Sequence, residues 1–172
     1  MKSILKLIFI FFFIALAISC KKSSNSSSSY YLKANFDGTS KAFNSQVIAV
    51  KSNLGTGMYN LSITGIASTE EGALTLWSDQ DDFNAGKTFT IDALGGTTKN
   101  LFAYTSPIGS SDASSIWSST YDYAVVNESL TCTITEATSA YIKGTFSTVI
   151  YENTDASVVS KTITEGQFYA KF

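Results

Sequence analysis

From Tyr30 onward the apolar residues of this chain recur at every second position, and that period restricts it to strands. Successive side chains of an extended strand point to opposite faces, so a period of two buries one face and leaves the other to water. Leu130, Cys132 and Ile134 alternate with Thr131, Thr133 and Thr135. In the next run Ile142, Gly144, Phe146, Thr148 and Ile150 share one face, with Tyr141, Lys143, Thr145, Ser147 and Tyr151 on the other. In the last run Val159 and Ile163 hold one phase while Phe168, Ala170 and Phe172 hold the opposite one. One extra residue would return both sets to the core face, which places a bulge at Glu165 and Gly166.

The first two thirds repeat the pattern with more interruptions. Leu32, Ala34 and Phe36 lead into Asp37 and Gly38, the pair that suits a two-residue hairpin turn, with a return strand from about Lys41 to Lys51. After a turn at Asn53–Gly57, Tyr59, Leu61 and Ile63 face one way and Asn60, Ser62 and Thr64 the other, and a strand over Ala73–Ser78 follows. Asp79–Asp82 breaks the run, and Gly86–Ile91 resumes it with Phe89 and Ile91 in phase. Asp92–Asn100 reads as a loop turning at Gly95 and Gly96, Leu101–Thr105 as a short strand, and Ser106–Ser119 as a surface loop around Pro107. Tyr121–Val126 reads as a strand or an edge segment. Roughly nine or ten short strands without a helix predict an all-β domain over residues 30–172. An antiparallel β-sandwich is the first expectation and a small closed β-barrel the alternative.

The leading 29 residues follow different rules. Lys2 and Lys6 precede twelve apolar residues, Leu7 to Ile18, whose helical rise of roughly 18 Å falls short of a bilayer core of about 30 Å. A basic start, a short apolar run and a small residue compose a secretory signal peptide over residues 1–19. Ala17-Ile18-Ser19-Cys20 resembles the lipobox of bacterial lipoproteins, with Ala17 where that family usually has Leu. The resemblance implies cleavage before Cys20 and lipidation of its thiol. Ordinary cleavage near Ala17 or Ser19 with a free Cys20 is the alternative. Residues 20–29, lysine- and serine-rich after the cysteine, cannot bury apolar surface and are expected to form a flexible tether. Without Asp after the cysteine, the pattern resembles lipoproteins sent to the outer membrane, in either leaflet.

A second resemblance covers most of the remaining chain. Tyr31-Leu32-Lys33-Ala34-Asn35-Phe36-Asp37-Gly38, the spacing of Phe83, Gly86 and Phe89, and Leu130–Glu136 occur in that order. Gly144-Thr145-Phe146 and the Ile163, Thr164, Gly166, Phe168 pattern follow. Together they resemble small Bacteroidota lipoproteins in which one β-sandwich follows a lipobox and a polar tether. The resemblance implies that fold and an envelope location, and it brings no catalytic residues with it.

Composition limits the chemistry. The chain has no His and, among its twelve basic residues, no Arg. Imidazole catalysis and guanidinium clamps for phosphate or guanine are therefore excluded. A net charge of −2 gives no footprint for nucleic acid. With Cys20 assigned to lipid, Cys132 has no partner for an intramolecular disulfide. Its inward phase predicts a buried thiol rather than a nucleophile.

Two candidate sites remain. Asp79, Asp81 and Asp82 form an acidic stretch that could be a Ca²⁺ loop. It lacks the glycine and distal glutamate of an EF-hand, and a solvated turn is the plainer reading. Asp81 and Asp82 also suit half of a glycosidase carboxylate pair, although loop neighbours rarely flank a cleft. Aromatic residues are the second candidate. Trp77, Trp117, Tyr121, Tyr123, Tyr141, Tyr151 and Tyr169 occupy loop or outward-phase positions. Trp77 and Trp117 are the expected ligand contacts if exposed rings stack on sugars or anchor a protein. The resulting expectation is a monomeric, lipid-anchored envelope module that is not an enzyme and needs no cofactor. Its partners would be the membrane and a glycan or an envelope protein, but not nucleic acid. A carbohydrate-binding or adhesin-like surface protein is the alternative within that class, and a carboxylate-dependent glycan hydrolase the rival outside it.

Overall fold

The computed structural model describes residues 30–55, 57–94, 98–121, 126–154 and 158–172. The signal segment, Cys20, the tether, Gly95, Gly96 and Tyr123 lie outside the described residues. Thirteen strands are present among the described ones: β1 Tyr31–Phe36, β2 Thr39–Phe43, β3 Ser45–Asn53, β4 Tyr59–Ala67, β5 Glu70–Ser78, β6 Thr88–Thr90 and β7 Asp92–Ala93. They continue with β8 Thr98–Lys99, β9 Leu101–Thr105, β10 Ile116–Ser118, β11 Leu130–Ala137, β12 Tyr141–Glu152 and β13 Ser160–Lys171.

The strands form two facing layers. One runs β2-β1-β13-β12-β11-β6 and the other β3-β4-β5-β9-β10, while β7 and β8 make a separate two-stranded ladder. Both sides of the sandwich are stitched. Lys171 of β13 pairs with Ile48 of β3, and Trp117 and Ser118 of β10 pair with Glu152 and Tyr151 of β12. The hydrogen-bonded path through β13, β3, β4, β5, β9, β10 and β12 therefore closes on itself. All strand pairings are antiparallel except the single β13–β3 contact, which is parallel. The all-β, sandwich-like expectation holds, and barrel-like closure is achieved within it.

Inward positions follow the alternation. Leu32, Ala34 and Phe36 are buried, as are Leu61, Ile63, Leu74, Leu76, Leu130, Cys132, Ile134, Ile142, Ile150 and Ile163. Aromatic pairs bridge the layers: Phe36 lies 6.2 Å from Phe102 and 5.1 Å from Tyr104, and Phe102 lies 5.0 Å from Phe146, between ring centres. Asp37 and Gly38 make the expected two-residue turn, both with positive φ, of 48° and 83°. A turn of this kind matches the right-handed twist of the two strands.

The bulge in β13 is also present. Lys33 pairs with Gln167 and Asn35 with Thr164, so two steps on β1 answer three on β13. The shift recurs against β12, where Phe146 pairs with Gly166 and Thr148 with Ile163. Glu165 carries the extra residue, with φ of 51°. Beside it, each of two phenylalanines lies over a glycine on the facing strand. A Cβ on Gly144 would stand 2.3 Å from Phe168 Cζ, and one on Gly166 would stand 2.4 Å from the Phe146 carbonyl oxygen and 2.7 Å from its ring.

Three expectations need correction. The return strand over Lys41–Lys51 is two strands, because the chain leaves the first layer after Phe43 and enters the second at Ser45. Phe43, Val47 and Ala49 are all buried at odd positions, so the parity runs through the corner and conceals it. The Asp92–Asn100 and Ser106–Ser119 loops contain β7, β8 and β10. Pairings of two or three residues are too short to show a period, and the strand count is accordingly higher than expected.

Candidate functional site

The sandwich is least regular where β5 ends and β6 begins. Leu74, Leu76 and Ser78 are buried on the inward face of β5, which turns Trp77 outward, where it is half-buried. The Trp77 N–H donates to Oδ1 of Asn100 at 2.7 Å, and Nδ2 of Asn100 donates to the Thr90 carbonyl at 2.6 Å. The Asn100 N–H donates to the Ile91 carbonyl at 2.8 Å. Asn100 is only 1% exposed, so one buried amide ties the end of β5 to the free edge of β6. Around this junction lies a depression of about 240 Å³, bordered by Trp77, Asp79, Lys87, Thr88, Thr90, Asp92 and Asn100.

Its charges are mostly balanced internally. Asp82 accepts from the Ser78 hydroxyl at 2.7 Å and from the Lys87 ammonium. Burial pushes the Asp82 carboxyl up, but the Lys87 and Ser78 hydrogen bonds outweigh it and hold the group below the usual carboxylate range. Asp81 pairs with Lys51 at 2.8 Å, and Asp92 with Lys99 at 2.8 Å, while Lys99 also reaches Glu128 at 3.1 Å. Asp79 is exposed and makes no side-chain hydrogen bond or ion pair among the described residues. The three aspartates do not converge. Among the described residues no cluster of three or more acidic, Cys or His side chains is placed to hold a metal ion.

The two tryptophans separate. Trp77 borders the depression, whereas Trp117 faces inward on β10 and is 7% exposed, with the Lys161 ammonium 4.2 Å from its ring centre. Trp117 was expected at the surface because its segment reads as a loop. In the fold it pairs with Tyr104 on one side and Glu152 on the other, which makes it part of the wall. Tyr121 and Tyr151 are also buried, with ring centres 5.6 Å apart. Their hydroxyls donate to the Thr154 and Asn127 carbonyls, at 2.6 and 3.0 Å. Tyr121 and the Asn127 carbonyl thus pack against Tyr151 on this outward face of β12.

Tyr141 and Tyr169 do remain partly exposed, clustered with Tyr30 and Tyr31 across β12, β13 and β1. Lysines occupy their ring faces. Lys143 lies 5.0 Å from the Tyr141 centre and 4.7 Å from that of Tyr169, and Lys33 lies 4.8 Å from that of Tyr31. Glu136 pairs with Lys143 at 2.7 Å and accepts from the Tyr141 hydroxyl, and these two hydrogen bonds lower its pKa. This cluster braces the outer sheet face, with a lysine against three of its four rings.

Cys132 is fully buried, and burial pushes its thiol up to about 12, so it is a packing residue. Sequence reasoning missed Asn100, which organises the depression. A lone Asn before a short strand carries no periodic signal, and its role arises only when β5, β6 and β9 meet. Comparison of the chain with protein families, with curated proteins and with solved structures found no match.

Proposed function

We propose that this protein is a lipid-anchored lipoprotein of the bacterial cell envelope whose β domain binds a neutral glycan at the Trp77 depression, without catalysis. Cys20 carries the lipid and residues 21–29 hold the domain off the outer membrane. The observation that carries the binding reading is one half-buried indole beside a polar concavity whose Lys and Asp side chains are largely paired with each other. Sugar recognition needs an aromatic face for the ring and hydrogen-bonding groups at its edge, and Asp79, Thr88 and Thr90 supply the latter.

The same geometry argues against a hydrolase. A general acid needs a carboxyl kept protonated by apolar surroundings, opposite a second acid across the bond. Asp82 is held below the usual range by Lys87, and Asp92 is bound to Lys99. The absence of arginine and the balanced charge weigh against phosphorylated ligands.

A glycan array probed with the chain lacking residues 1–20 tests the binding reading. Trp77→Ala should lower binding to any positive glycan at least about tenfold, the loss of roughly 1.4 kcal/mol. Binding that survives the substitution unchanged refutes the assignment. Metabolic labelling with a fatty acid tests the anchor, because Cys20→Ala should abolish the label.

A further inference from the structure

Strand parity puts two lysines where apolar residues belong. Lys41 shares the inward phase of Phe43 on β2, and Lys161 that of Ile163 on β13. Both reach the gap between the layers beside the β1–β2 hairpin, a depression of about 370 Å³ lined by Phe36, Asp37, Thr39, Lys41, Tyr104 and Lys161. That volume lies within the usual range for small-molecule sites, and the mouth between two sheets is a common place for one.

The two lysines differ in what they meet. The Lys41 ammonium bonds Glu70 at 2.7 Å and the Tyr104 hydroxyl at 3.1 Å, and that hydroxyl donates to Glu70 at 2.6 Å. This triad is internally neutral. An inward lysine on the edge strand β2 is explained as a guard against edge pairing. Asp37 is engaged too, accepting from the Thr162 N–H at 2.8 Å. Lys161 lies on a strand paired on both sides, and its ammonium makes no ion pair or hydrogen bond among the described residues. Its described contact is the face of Trp117, 4.2 Å from the ring centre. A cation–π contact attracts an ammonium to the ring face and leaves its hydrogen-bond donors unused.

We propose that this gap binds a small organic carboxylate, whose anionic group pairs with Lys161 while its body rests against the Phe36, Thr39 and Tyr104 wall. A monoanion matches Lys161, the lysine of this gap that has no counter-charge among the described residues. A phosphate dianion would set excess negative charge beside Glu70 and Asp37. The site stands apart from the Trp77 depression, because Glu70 and Trp77 occupy opposite ends of β5, roughly 20 Å apart along the strand.

Trp117 supplies the readout. In the full chain carrying Trp77→Phe, purified in detergent, sodium glucuronate should shift tryptophan emission saturably, with half-saturation at about millimolar concentration. Lys161→Gln should weaken the response at least about tenfold, and Lys161→Arg, which keeps the charge, should retain it. Glucose should give no response. The proposal is overturned if glucuronate gives no saturation, if Lys161→Gln responds like its parent, or if glucose or sodium phosphate at equal ionic strength reproduces the shift. Because Trp77 is absent from this experiment, its failure leaves the glycan reading standing, and the reverse also holds.

Discussion

The ladder β11–β12–β13 and the stretch from Ser78 to Tyr121 are built on opposite terms. In the ladder, long antiparallel strands satisfy their own backbone groups, and the core is filled by alternation that changes phase only at bulges. In the middle stretch the strands are two to five residues long, and side chains do the joining: Asn100 ties β5 to β6, and the Ser119 hydroxyl accepts from the Phe102 N–H at 3.0 Å. The ladder carries depressions of about 280 and 290 Å³, but neither is bordered by a tryptophan. The irregular stretch supplies the Trp77 depression, and it depends on a few buried polar groups for its shape.

Substitutions should separate the two regions by mechanism. The largest effect is expected in the ladder, from Gly144→Ala or Gly166→Ala, since either methyl group would collide with backbone and with a phenylalanine ring. Each should cost about 3 kcal/mol or more, read as a fall in the urea midpoint. Next comes Asn100→Ala in the middle stretch, which strands the Trp77 N–H and the Thr90 carbonyl. It should cost about 1–3 kcal/mol and weaken glycan binding as well. A stability loss without a binding loss would detach Asn100 from the site.

Acidification should act, at lower amplitude, on the Glu70 triad and on the Asp82–Lys87 pair. Burial raises Glu70, but hydrogen bonds from Lys41 and Tyr104 outweigh it and lower its pKa, as Lys87 and Ser78 do for Asp82. A folded pKa below the unfolded value contributes stability that is fully present above the ordinary carboxylate range. That stability is lost as pH falls from about 4 through the folded values. Urea midpoints should therefore drop below about pH 4, and less steeply in Glu70→Gln. The smallest effect is expected at the bulge. Glu165→Gly suits a φ of 51° and gives up only an exposed hydrogen bond from Asn35, so stability should change by less than about 1 kcal/mol.

The same contrast explains what the sequence made legible. Alternation is a local signal, and it sufficed for the inward faces of β1, β4, β11 and β12 and for the bulge at Glu165. The corner at Asn44 was hidden because parity is continuous across it. Trp117 was misplaced because three residues of strand inside a Ser-rich segment have no period. The Trp77 depression was half legible: outward phase marked the indole, whereas Asn100 acts through contacts between residues far apart in sequence.

Trp77 is proposed to face a ligand while Trp117 is buried in the wall, and acrylamide quenching of single-tryptophan variants separates the two roles. With Trp117→Phe, the remaining Trp77 should be readily quenched, and an array-positive glycan should protect it. With Trp77→Phe, the remaining Trp117 should resist quenching, in keeping with its 7% exposure. Equal quenching of the two, or a Trp77 whose quenching no bound glycan alters, would contradict the account.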